Sequence, residues 1–101
     1  MPTYIALHNF TDEGIRTIKE TIQRSYGAAE LAKQYGASLQ TYWTVGPYDV
    51  VYILEVPDDE SAAAFLLDGG SRGVVRTTTL RAYDRQEMSS IVEKLGPATG
   101  A

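Results

Sequence analysis

Two runs of β-branched and aromatic residues, Leu39 to Val45 and Tyr48 to Val56, are parted only by Gly46-Pro47. Such runs form strands, and so short a connection makes them an antiparallel hairpin. A two-residue loop pairs Val45 with Tyr48 and Trp43 with Val50; a four-residue loop shifts the partners but keeps the same faces. Either way Leu39, Trp43 and Val45 lie with Val50, Tyr52, Leu54 and Val56 on an almost wholly apolar face, the face expected to carry helices. The opposite face holds Gln40, Tyr42 and Thr44 with Val51, Ile53 and Glu55, and three of these, Tyr42, Val51 and Ile53, are large apolar bodies. A half-exposed antiparallel sheet alternates apolar with polar residues. This hairpin does not, which points to cover on both sides.

A strand from Tyr4 to Phe10 has the same character, with Tyr4, Ala6, His8 and Phe10 on one side and Ile5 and Leu7 on the other. Thr11-Asp12-Glu13 then supplies a cap and negative charge suited to a helix start. Ile15, Ile18, Ile22 and Tyr26 recur at helical spacing, Ala29, Ala32 and Tyr35 extend the stripe, and Gly36 suits the left-handed position after a helix. Gly27 weakens this helix, and a break is expected between Lys19 and Gly27. Pro57-Asp58-Asp59-Glu60 opens a short helix that runs through Leu67 and stops at Gly69-Gly70. Val74 to Tyr83 reads as a fourth strand. Asp84-Arg85-Gln86-Glu87 is a capping box for a last helix bearing Met88, Ile91, Val92 and Leu95, ended by Gly96-Pro97.

The order is β-α-β-β-α-β with a terminal helix. That is an α+β, ferredoxin-like arrangement: a four-stranded antiparallel sheet with both crossover helices on one face. One domain is expected over residues 1–96, with a loose tail over 97–101. A single copy leaves the second sheet face bare, roughly several hundred Å² of partly apolar surface. Two sheets packed face to face remove it, so a homodimer or higher homo-oligomer is expected, against the alternative of a monomer whose second face is wet.

Charge and composition narrow the partners. The 101 residues carry a net charge of −4, with nine scattered Lys and Arg, so no basic face for nucleic acid is expected. No apolar run approaches the ~20 residues of a membrane span, and no secretory signal opens the chain, so a cytoplasmic protein is expected. The absence of cysteine excludes disulfides, thiol catalysis and cysteine-bound metal, and the one histidine, His8, limits any metal site of several histidines to one shared between subunits.

The segments Met1-Pro2-Thr3-Tyr4-Ile5, Asn9-Phe10-Thr11-Asp12 with Gly14-Ile15-Arg16, and Tyr42-Trp43-Thr44-Val45-Gly46-Pro47-Tyr48-Asp49 resemble the GYD-domain family, part of the dimeric α/β-barrel group. Gly46, Tyr48 and Asp49 carry the pattern that names the family, with Pro47 between Gly and Tyr; Pro57-Asp58-Asp59 and Val75 to Ala82 extend the match. The resemblance implies the barrel fold and, because the family has no general assigned activity, implies no reaction. The wider group spans cofactor-free monooxygenases, isomerases, cyclases, haem-dependent enzymes and stress-response proteins.

Five residues are candidates for a site. His8 is the only side chain that titrates near neutrality, and in a barrel lumen it could be a general base or an axial haem ligand; otherwise it is a hydrogen-bonded histidine packed in an interface. Tyr48 and Asp49 would sit at the barrel mouth, Asp49 orienting a ligand or His8, or else stabilise a turn. Tyr42 could stack on a planar ligand. Arg81 shares a face with Val75, Thr77, Thr79 and Tyr83 and could hold a carboxylate or phenolate, or else form a salt bridge to Glu55 of either chain. Trp43 and Tyr52 read as core aromatics. Gly69-Gly70-Ser71-Arg72-Gly73 lacks the lysine and spacing of a phosphate loop, and no Gly-x-Ser-x-Gly elbow occurs. Two functions follow from this set. One is a small-molecule site for a planar or apolar metabolite, needing no cofactor, with proton transfer or cofactor-free oxygenation by His8 as catalytic residue; haem is the one cofactor the histidine would suit. The other is a non-catalytic oligomeric module with regulatory or scaffolding use.

Overall fold

The computed structural model describes residues 1–97. Its elements are β1 (Thr3–Phe10), α1 (Asp12–Arg16), a 3-10 turn (Ile18–Glu20), α2 (Thr21–Gln34), β2 (Ser38–Trp43), β3 (Val50–Glu55), α3 (Asp59–Gly70), β4 (Val75–Ala82) and α4 (Arg85–Glu93). The strands form one antiparallel sheet in the order β2-β3-β1-β4, the ferredoxin-like order. Trp43 pairs with Val50, the register set by the Gly46-Pro47 hairpin, although β2 ends at Trp43 and a longer loop closes the turn.

The core lies on the face with Leu54 and Val56. Both are fully buried, and Ala32 of α2 and Ala62 and Phe65 of α3 pack with them, flanked by Tyr4, Leu31, Leu39 and Tyr52. Both long helices therefore cover one face. The other face, with Ile5, Leu7, Val51, Ile53, Tyr42 and Leu80, has no helix of this core on it. Leu80 is 46% exposed and Tyr42 is 55% exposed.

Local signals explain most boundaries. Thr11 accepts the Gly14 amide, Asp58 that of Ser61 and Asp84 that of Glu87, and the Glu87 side chain completes the capping box on the Asp84 amide. Gly36 has φ +69 after α2 and Gly96 has φ +76 after α4, the left-handed conformation that favours glycine.

Three expectations are corrected. The break in the first helical segment spans Thr17–Glu20, meeting the expected range only at its start, Lys19–Glu20, and Gly27 stays inside α2. The physical cause is Thr17: its hydroxyl donates to the Glu13 carbonyl, and the Arg24 guanidinium donates to both its carbonyl and its hydroxyl, clamping the kink. Only the later part of the stripe enters the core: Ala32 is buried with Tyr35 and Leu31 packed around it, while Ile15, Ile22 and Tyr26 are each at least half exposed. And α3 runs through Gly69-Gly70 to its cap at Ser71, since neither glycine adopts a positive φ; the turn comes at Gly73, φ +80.

The terminal helix α4 stands apart. None of its residues is buried, and Met88 and Val92 are about half exposed and Leu95 more so. The molecule is 57 Å in its longest dimension, with a radius of gyration of 16.4 Å, where a compact chain of this length has about 13 Å. Of the expected tail, residues 98–101 lie outside the described residues.

Candidate functional site

The sheet register sets His8 between Val50 on β3 and Thr77 on β4, facing the helices. There α2 and α3 part enough to leave a cavity of about 290 Å³ over the sheet. His8 is 3% exposed. Its Nδ1 is 2.9 Å from the Thr77 hydroxyl, and its ring meets Tyr52 edge-on with centroids 4.3 Å apart. Among the described residues Nε2 has no hydrogen-bond partner. Desolvation lowers the His8 pKa from 6.5 to about 4, because a charged imidazolium would be stranded in an apolar wall. The ring is neutral at pH 7 and a weak base.

The rest of the lining comes from elements the sequence places apart. Trp43 on β2 bridges to α2 by donating Nε1–H to the Thr21 hydroxyl at 3.0 Å. Phe65 on α3 packs beside Tyr52. Arg24 on α2 lines the cavity while donating to Thr17 and to the Gly14 carbonyl. Burial raises the Tyr52 pKa, with the Arg24 charge acting in the opposite sense. Gly27, Gly69 and Gly70 border the cavity, and a methyl group added at any of them would meet nothing within 4 Å.

The other candidates lie elsewhere. The Asp49 carboxylate accepts the Phe10 amide at 2.9 Å, and the Asp49 amide donates to the His8 carbonyl at 2.8 Å. Asp49 thus joins the loop to the end of β1, its carboxylate on a backbone amide. The Tyr48 carbonyl accepts the Thr44 hydroxyl, the Pro47 carbonyl accepts the Asn9 amide, and Gly46 has φ +137. Tyr42 pairs with Val51 on the opposite face of the sheet from His8. Arg81 pairs with Tyr4, four residues along β1 from His8, about 13 Å away. Its ion pair is with Glu87 at 3.3 Å, not with Glu55, and its guanidinium lies 4.5 Å from the Tyr83 ring centroid. Glu55 pairs with Thr3 and so lies on the other face. His8, Tyr42 and Arg81 therefore do not surround one ligand.

What the residues upstream of the structure did not indicate is the part played by Arg24, Tyr52, Phe65 and Trp43 as cavity walls. Their only sequence signal, an apolar or helical position, is the same one a filled core gives. The cavity is at the small end of ligand pockets, below what a porphyrin needs, so haem does not fit it. Among the described residues no three His, Asp or Glu side chains gather as a metal site, and no helix is long and apolar enough to cross a membrane.

An antiparallel sheet in the order β2-β3-β1-β4, helices on one face and a Gly-Pro-Tyr-Asp loop tied back to β1 define an α+β domain of ferredoxin-like order. The chain belongs to the GYD domain family, whose model matches residues 4–92. It is similar to a Thermus thermophilus protein named glutamine synthetase and cystathionine beta-lyase binding protein, with 37% identity over 84 residues, 81% of this chain and 88% of that one. No solved structure matches.

Proposed function

We propose that this chain is a homo-oligomeric, non-catalytic protein-binding module, acting by contact with larger enzymes. The observation that carries this reading is the Thermus relative, named for binding two enzymes and matched along most of both chains. The surface agrees with it. A chain that works alone rarely leaves both a sheet face and the apolar stripe of a helix uncovered.

We assign those two surfaces to a second copy of this chain. A four-stranded face about six residues long offers roughly 400 Å², while a standard stable interface buries about 800 Å² on each partner. The sheet face alone falls short, and Met88 and Val92 of α4 with Leu95 just beyond it supply the remainder. In this reading residues 1–96 fold as one unit, and Tyr42 lies in the interface. Tyr48 and Asp49 hold the hairpin to β1, and Arg81 fixes the base of α4 through Glu87.

Two measurements test the proposal. Light scattering is expected to give twice the 11.1 kDa chain mass, and a monomer at micromolar concentration removes the oligomer. Calorimetric titration against purified glutamine synthetase and cystathionine beta-lyase from the same organism is expected to show saturable binding to at least one. No heat from either at about 100 μM removes the binding role.

A further inference from the structure

The cavity beside His8 has features that a merely imperfect core does not explain. The Nε2 atom of His8, a residue 97% removed from solvent, is the one fully buried side-chain polar atom left without a partner among the described residues. Of the other polar side chains in the lining, the Tyr52 and Thr41 hydroxyls are less deeply buried and make no hydrogen bond among the described residues, and the rest are engaged. Thr77 bonds His8, Thr21 bonds Trp43, Arg24 bonds Thr17 and Gly14, and Arg72 pairs with Asp68. Buried polar atoms in folded proteins almost always have partners, so an orphan facing a cavity points to something that enters it.

The walls state what kind of molecule that is. Phe10, Leu31, Trp43, Tyr52 and Phe65 present apolar and aromatic surface, suited to the flat faces of a ring. The volume of about 290 Å³ suits a small molecule of a few rings. Gly27, Gly69 and Gly70 weaken the helices that carry them, yet no neighbour crowds the position of a side chain at any of them, so packing does not require glycine. What their missing side chains leave is room beside the cavity. A carboxylate would have to shed its water against these mainly apolar walls, where the Arg24 guanidinium is held by Thr17 and the Gly14 carbonyl and Arg72 is mostly exposed beside Asp68.

We propose that this cavity binds an uncharged aromatic molecule with one hydrogen-bonding oxygen, a phenol or a quinone-type carbonyl, seated with that oxygen on His8 Nε2. The Thr77 hydroxyl allows either tautomer of the ring. If it donates to Nδ1, then Nε2 carries the proton and takes a carbonyl. If it accepts, Nε2 takes a phenolic O–H. The site is separate from the surfaces assigned to protein contact, and it stands whether or not those bind a partner.

The single histidine makes the test direct, since imidazole ¹⁵N spectra of the full chain contain only the ring of His8. Titration with 2-naphthol or 1,4-naphthoquinone is expected to shift the Nε2 signal in a saturable way. Naphthalene, with the same body and no oxygen, and 2-naphthoate, with a charge, are each expected to bind at least tenfold more weakly by calorimetry. His8→Leu is expected to weaken the binding of the oxygen-bearing probe about tenfold and leave naphthalene unchanged. Ala28→Phe, which fills the cavity from α2 and leaves His8 unchanged, is expected to abolish binding of both while the circular dichroism stays native. Should His8→Leu fail to fold, the Ala28→Phe variant and the Nε2 shift decide the matter. If neither oxygen-bearing probe binds, the cavity holds only water and the proposal is overturned. Naphthalene or naphthoate binding as tightly as the best of them overturns it as well.

Discussion

The two faces of one sheet have been treated differently by the chain. On the His8 face, Leu54, Val56, Ala62 and Phe65 are buried to within a few per cent, and two helices close over them. On the opposite face, Ile5, Leu7, Val51, Ile53 and Leu80 are just as apolar in kind, yet no core helix reaches them. The difference shows that apolarity in a strand does not name its cover. One face is closed by its own chain and the other is left open by it. Even the covered face is incomplete, because the helices part over His8.

The comparison can be broken first at Leu54. Leu54→Ala is expected to cost about 3 kcal/mol in urea unfolding, since the side chain is fully buried in a closed core. An equal loss from Leu80→Ala at concentrations where the chain is monomeric would show that the faces are not different in kind.

Next in size is the cost of protonating His8. Its folded pKa of about 4 lies below the ordinary 6.5, so between these values the unfolded chain binds more protons than the folded one. Stability therefore falls as pH drops from about 6.5 to 4, by up to about 3 kcal/mol. Arg24, Arg72 and Tyr52 line the same cavity, and burial raises the pKa of Tyr52 away from that window. The difference in urea midpoint between the wild type and His8→Leu, followed from pH 7 to 4.5, isolates this contribution from the carboxylates. A constant difference would refute the burial of a neutral ring.

Asp49→Ala is expected to cost about 1–2 kcal/mol by leaving the Phe10 amide unpaired, with Asp49→Asn milder because an acceptor oxygen remains. Thermal melts of the three chains check the order. The smallest effect on the fold is expected from Leu80→Asp on the open face, within about 1 kcal/mol of wild type when monomeric. Its effect on assembly is large, and light scattering is expected to give half the mass of the wild type.

The sequence made the hairpin readable for a physical reason. Between Leu39 and Val56 the alternation, the β-branched residues and the Gly-Pro break all act within a few residues, and the observed pairing of Trp43 with Val50 follows from them. Caps are equally local, so Thr11, Asp58 and Asp84 stand where their side chains predict. The kink at Thr17 was not legible, because it depends on Arg24 folding back across the turn. The same limit governs the candidate site. His8 was legible as the one group able to titrate near neutrality. Tyr42 and Arg81 looked like its companions only because sequence lists residues without distances; pairing to Val51 and to Tyr4 sends one through the sheet and the other along it.

By itself, then, the sequence determined the strands, the caps, the element order and the presence of apolar residues on both sides of the sheet, since each rests on spacing and local chemistry. The tertiary structure decided that the helices part over His8 instead of closing the whole of the face the sequence assigns to them. It decided that α4 stands off the body with its stripe bare, and that the one histidine is buried neutral beside a cavity with its Nε2 unsatisfied. Those outcomes depend on where elements distant in sequence come to rest. Burial, hydrogen-bond partnership and pKa are properties of that neighbourhood and not of the residue alone.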